Sequence, residues 1–94
     1  MIIIAGALFV DPSDRDRYLA AVHDVTALAR RSPGCLDFVQ APDTVDSSRI
    51  NVYERWESDD DLHRFRTSGG PELELPPLRS ADVHKYRIAS IEQP

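Results

Sequence analysis

Cysteine, glycine, tryptophan and lysine are all scarce in this chain of 94 residues: one Cys, four Gly, one Trp, and Lys85 alone beside ten arginines. Cys35, having no second thiol to meet, excludes an intramolecular disulfide, and a reducing cytoplasm is the expected location. Four glycines beside 41% apolar and 29% charged residues exclude collagenous and disordered classes. Basic runs are missing too. With a formal charge of −5, a phosphate backbone would meet net repulsion, so no nucleic acid partner is expected. The longest apolar run, Met1 to Val10, is about half of the ~20 residues a membrane helix needs, and it lacks a basic n-region or cleavage site, so no membrane partner is expected. No nucleotide-binding glycine motif, Cys/His metal spacing or nucleophile elbow occurs, and neither metal nor cofactor is expected.

What remains is the pattern of a small globular protein, expected to form one domain over 1–94. At 10.6 kDa folding hides only about 60–65% of the extended chain's surface, which favours a partner subunit as extra cover. Met1 to Val10 is apolar at both parities and reads as a strand buried on both faces. Asp11-Pro12-Ser13-Asp14 then starts a helix with an Asx cap, Pro in its first turn and acids at its positive end. That helix is predicted to reach about Arg31, with Tyr18, Val22, Val25 and Ala29 as its apolar stripe. Ser32-Pro33-Gly34 ends it.

Cys35 to Gln40 reads as a second strand in which Leu36 and Phe38 alternate against Asp37. Ala41 to Arg49 reads as a loop. Ile50 to Glu57 is the clearest strand, with Ile50, Val52, Glu54 and Trp56 on one face and Asn51, Tyr53 and Arg55 on the other. Ser58 caps a short helix to about Thr67, and Asp59, Asp60 and Asp61 complement its dipole. Glu72 to Leu78, with Pro71, Pro76 and Pro77, reads as irregular, with room for one helical turn. Asp82 to Ile91 is predicted as the last strand, with Val83, Tyr86, Ile88 and Ile91 as its apolar members. The order βαββαβ is that of the ferredoxin-like α+β fold, an antiparallel sheet with both helices on one face because the crossovers are right-handed. A homodimer through the helix-free sheet face is the expected cover for the first strand's second apolar side, with Asn51, Tyr53 and Arg55 in the contact.

Pro33-Gly34-Cys35-Leu36-Asp37-Phe38, followed by Asn51-Val52-Tyr53-Glu54-Arg55-Trp56-Glu57-Ser58, resembles the antibiotic biosynthesis monooxygenase family of dimeric α+β barrels. The resemblance covers Met1 to about Ser68 and the last strand, while Gly69 to Leu78 departs from it. It implies a cofactor-independent monooxygenase acting on a small aromatic substrate, a quinol or polycyclic phenol. The alternatives are a non-catalytic small-molecule-binding or structural barrel, or an isomerase or lyase of the same fold. Many members carry a histidine nine residues after the Trp, where this chain has Phe65. Haem-degrading members need an Asn on strand one and a His after that aromatic; here Ala7 is the strand-one equivalent and no His lies between His63 and His84. Polyketide-tailoring members place an Asn where this chain has Val52, although Trp56 is retained.

Oxygenation without a cofactor requires that the substrate supply the electrons once deprotonated, so the protein must provide a dry pocket and a base. By the resemblance Trp56 lines the cavity between sheet and helices, where its indole N–H is available to orient a substrate oxygen or simply to fill the core. Glu54 shares its face, and a carboxylate in an apolar cavity has a raised pKa suited to proton transfer, unless it pairs with an Arg. His23 flanks the first helix's stripe and is the third catalytic candidate, against the alternative of an exposed histidine without a role. Tyr18, Phe38, Leu62 and Phe65 are the expected substrate-binding lining, of a type that ordinary core residues share. His63 and His84 are lesser candidates, and Cys35 reads as a structural thiol.

Overall fold

The computed structural model describes residues 1–70 and 72–94. Its elements follow the expected order: β1 (Ile2–Val10), a 3-10 turn (Pro12–Asp14), α1 (Arg15–Arg30), β2 (Cys35–Pro42), β3 (Arg49–Trp56), α2 (Asp59–Arg66) and β4 (Leu78–Arg87). The strands form one antiparallel sheet in the order β2-β3-β1-β4. This is the ferredoxin-like α+β arrangement, with β1 and β2 parallel to each other across β3 and joined by α1. Among the described residues no helix is long and apolar enough to cross a membrane.

Local signals account for the helix starts. Asp11 accepts from the Ser13 amide at 3.0 Å and from its hydroxyl at 2.7 Å, so the Asx cap forms where expected but opens a 3-10 turn before α1 begins. Ser58 Oγ accepts from the Asp61 amide at 3.2 Å and caps α2. Gly34, at φ +82°, turns the chain from α1 into β2, and a Cβ there would lie 2.2 Å from the Asp61 carboxylate. Gly6, at φ +150°, lets β1 and β4 approach so closely that a Cβ would meet the Asp82 carbonyl oxygen at 1.9 Å.

The alternation of β3 decides the layers. Ile50, Val52, Glu54 and Trp56 are all buried beneath the helices. Two packed clusters fill that layer: Ile2, Ile4, Ala29, Phe38, Trp56 and Leu62 in one, and Val10, Tyr18, Val22 and Ile50 in the other. The opposite face carries Ile3, Ala5, Phe9, Val39, Tyr53 and Tyr86, placed there by register.

Two expectations are corrected. The pairing shifts register between Cys35 and Asp37, so Leu36 falls in a bulge and is 40% exposed, while Cys35 takes the inward place opposite Trp56. The last strand runs from Leu78 to Arg87, four residues earlier than expected at each end. β1 sets this limit: Arg87 already pairs with Ile2, and Ile88 makes one last bond to the Met1 carbonyl, leaving Ile91 75% exposed. Residues 72–77 are irregular as read, without the helical turn for which there was room; Pro71, read as part of the same segment, lies outside the described residues.

Candidate functional site

Glu54 is the buried carboxylate of the helix-covered layer. Register sets it between Ile4 of β1 and Phe38 of β2, and only 8% of it is exposed. Two residues on, Trp56 is fully buried between Ile2 and Cys35. Period-two geometry points both side chains the same way. The indole Nε1 of Trp56 donates to Glu54 Oε1 over 3.1 Å. Burial pushes the Glu54 carboxyl above its ordinary pKa, and the Trp56 hydrogen bond and the more distant Arg66 charge oppose that rise. The result is a desolvated carboxylate with one oxygen engaged by an indole, a group able to accept a proton from a weak acid at neutral pH.

α2 supplies the roof. Leu62 and Phe65, three apart, share its inner face. The Phe65 ring lies 5.3 Å from Trp56, tilted by 31°, and 6.0 Å from Phe38 in an edge contact at 66°. On the outer side of Phe65 a cleft of about 370 Å³ opens between the helices, lined by Val25 and Leu28 of α1, Phe65 and Arg66 of α2, and Ser68, Gly69 and Gly70. A smaller cleft of about 230 Å³ lies between α2 and β4, lined by Asp59, Leu62, His63, Arg66 and Lys85.

Glu54, Trp56, Phe38, Leu62 and Phe65 are thus brought together; Tyr18 and His23 are not. Tyr18 belongs to the second cluster with Val10, Val22 and Ile50, where burial raises its phenol pKa. His23 stands 80% exposed beside Asp24, 3.4 Å away, and does not enter the cavity, because the side of α1 that faces the sheet is occupied by Tyr18, Val22 and Ala29. Of the expected lining only Phe65 borders the larger cleft, whereas Phe38 and Leu62 are core. The Trp56 N–H is spent on Glu54 rather than left free for a substrate.

Sequence reasoning missed the rest of the cleft wall. Val25 and Leu28 lie three apart on α1 and Arg66 directly follows Phe65, which is the only local signal available. His63 borders the smaller cleft, and His84 pairs with Asp82 at 2.8 Å on the opposite sheet face. Among the described residues no group of three or more His, Cys, Asp or Glu could hold a metal ion. Burial and the charges of Asp37 and Glu54 raise the Cys35 pKa, so its thiol is not activated.

The sequence profile named antibiotic biosynthesis monooxygenase matches residues 1–71. Similar solved structures include a Deinococcus radiodurans protein carrying that same family name, with TM-score 0.80 and 14% identity, covering 99% of this chain and 97% of the other. A Pseudomonas aeruginosa protein aligns at 26% identity and TM-score 0.68 over 94% of this chain and 93% of its own. A Mycobacterium tuberculosis haem degrader, solved with two haems in its active site, aligns at 15% identity and TM-score 0.71 over 99% of this chain and 100% of its own. A search of curated proteins finds no match.

Proposed function

This chain belongs to the antibiotic biosynthesis monooxygenase family, and we propose that it oxygenates a quinol or polycyclic phenol without a bound cofactor, with Glu54 as the base. The observation that carries this reading is the Trp56–Glu54 pair, a desolvated carboxylate held at 3.1 Å by an indole. A phenol bound against Phe65 transfers its proton to Glu54, whose raised pKa narrows the gap to that of the phenol. The resulting anion passes one electron to dioxygen; superoxide and the substrate radical join at a ring carbon as a peroxide anion, which takes the proton back from Glu54 to become the hydroperoxide. The hydroperoxide then loses water, so one oxygen atom stays in the quinone product and the other leaves as water, with every electron drawn from the substrate. Phe65, partly buried and packed on Trp56, is the wall between the larger cleft and the Trp56–Glu54 pair; its ring swings aside to let the phenol oxygen reach Glu54 while staying against the substrate.

Trp56 acts in this scheme as a positioning residue, fixing the Glu54 carboxylate through its N–H. The larger cleft does not fit haem: none of the three histidines borders it, and among the described residues its lining offers no axial imidazole.

The protein is further proposed to act as a homodimer through its helix-free sheet face. That face presents Ile3, Phe9, Val39, Tyr53 and Tyr86, and it includes Arg55, whose Nε is buried without a hydrogen-bond partner among the described residues. A second sheet packed there would bury the apolar stripe and bring acceptors to Arg55.

Oxygen uptake with a panel of hydroquinones and anthrones tests the function. Uptake that saturates with at least one of them, and that is stoichiometric with quinone formed, is the expected result. No uptake above the uncatalysed rate across the panel, by folded protein, overturns the oxygenase reading.

A further inference from the structure

The cationic groups of this acidic chain are mostly spoken for. Arg17, Arg64, Arg79, Arg87 and Lys85 each hold a carboxylate at 2.8–3.0 Å. Arg15 and Arg30 donate to main-chain carbonyls. The Arg66 side chain holds no carboxylate and makes no hydrogen bond among the described residues, yet it borders both clefts that flank α2. In the larger one it is the only charged side chain among the described residues. Its companions there are the apolar walls of Val25, Leu28 and Phe65, the Ser68 hydroxyl, already donated to the Phe65 carbonyl at 2.7 Å, and two glycines.

We propose that the cleft between α1 and α2 is an acid-selective subsite, in which Arg66 pairs with the carboxylate of a flat aromatic ligand whose ring lies against Phe65, Val25 and Leu28. This rests on the functional reading above and narrows its substrate class to phenols or quinols that carry a carboxylic acid. Chemistry favours one negative charge over two. A planar guanidinium matches a carboxylate through two parallel N–H donors, whereas a phosphate ester would present more charge than one arginine neutralises on a protein of net charge −5. The volume of about 370 Å³ is at the lower end of ordinary ligand sites and suits a ligand of two or three fused rings. Arg66 also lies close enough to Glu54 for its charge to lower that carboxyl's pKa. A ligand carboxylate that engages Arg66 offsets this influence and leaves Glu54 a stronger base, so binding and proton transfer are coupled through one side chain.

The test is equilibrium binding of 1-hydroxy-2-naphthoic acid and of its methyl ester, followed by the emission of Trp56, which stacks on the Phe65 wall. The acid should bind the native protein about tenfold or more tightly than the ester, and this preference should weaken with added salt because Arg66 is exposed. Arg66→Gln should remove the preference while leaving ester affinity within about twofold, and Arg66→Lys should restore part of it. Arg66 packs on the surface, so an unchanged melting temperature is expected and confirms that the variant folds. Equal affinity for acid and ester, a preference that survives in Arg66→Gln, or no binding of either compound overturns the subsite. Acid-selective binding without oxygen uptake supports the subsite and counts against the oxygenase; uptake with neutral quinols and no acid preference does the reverse.

Discussion

Trp56 donates its indole hydrogen to Glu54 across 3.1 Å beside a cluster whose other buried side chains, Ile2, Ile4, Ala29, Phe38 and Leu62, are apolar. Each of these groups explains the other. An indole N–H buried without an acceptor, or a carboxylate buried without a donor, costs about 1–3 kcal/mol, more for the charge. Together they place one polar pair beneath the aromatic roof of Phe65, where desolvation raises the basicity of the carboxylate.

Glu54→Gln preserves the shape of the side chain and an oxygen for the Trp56 hydrogen bond, while removing the base. Turnover on a substrate identified by oxygen uptake should fall by about 10²–10⁴-fold with little change in KM. The same variant should be at least as stable as the native protein at neutral pH, because a buried carboxylate has been replaced by a neutral amide. Undiminished turnover in the variant assigns the proton transfer to another group.

Trp56→Phe separates positioning from packing. The ring remains but the donor to Glu54 is lost, so the Glu54 pKa should climb further and the acidic limb of the pH–rate profile should move to higher pH. Turnover should drop by about tenfold, the worth of one orienting hydrogen bond. The smaller ring also leaves a void in a fully buried site, costing about 1–3 kcal/mol in urea unfolding. A pH profile superimposable on the native one would show that the indole only fills space.

Tyr53→Asp tests the proposed dimer. Light scattering on the native protein should give twice the 10.6 kDa of one chain at micromolar concentration, and the variant should give the monomer mass, since the substitution would bury an unpaired charge between two sheets. A native monomer refutes the arrangement outright.

The pH dependence of stability should follow groups that move in opposite directions. Asp59, bonded to Lys85 and Arg87 at 2.8 and 2.9 Å, is held at about 2 by those partners. Asp43, bonded to the Asp46 and Val45 amides and to Asn51, is held at about 2 as well. Folded values below the unfolded 3.8 mean that these carboxylates stabilise the fold above about pH 4, and that this contribution is lost as pH falls from there toward 2. Glu54 has the reverse sign. Its folded pKa lies above 4.5, so stability is lost as pH rises from that value through the folded one. Urea midpoints across pH 2–7 should show the acid loss steepen less in Asp59→Asn, and the loss on the alkaline side vanish in Glu54→Gln. Parallel curves for native protein and both variants would contradict these assignments.

Local signals along the chain suffice for the order of the elements, the helix caps and the two faces of β3. All three are local: Asp11 and Ser58 reach amides two and three residues away, and a strand's alternation needs no partner to be read. It also placed Glu54 and Trp56 on one face, which is most of the candidate site. Features that depend on distant partners were set by packing. The bulge at Leu36 follows from pairing with β3, and the limits of β4 follow from the length of β1, neither of which has a local signature. His23 and Tyr18 share a helix whose burial depends on how α1 sits across the sheet; a small rotation separates a residue in the cavity from one in water or in the neighbouring cluster. The Trp56–Glu54 hydrogen bond needed a buried setting to form, and Arg66 acquired its place only when α2 packed beside α1 and left its guanidinium between two clefts. Spacing along a chain encodes which way a side chain points, whereas what it meets there is set by the packing of elements far apart in sequence.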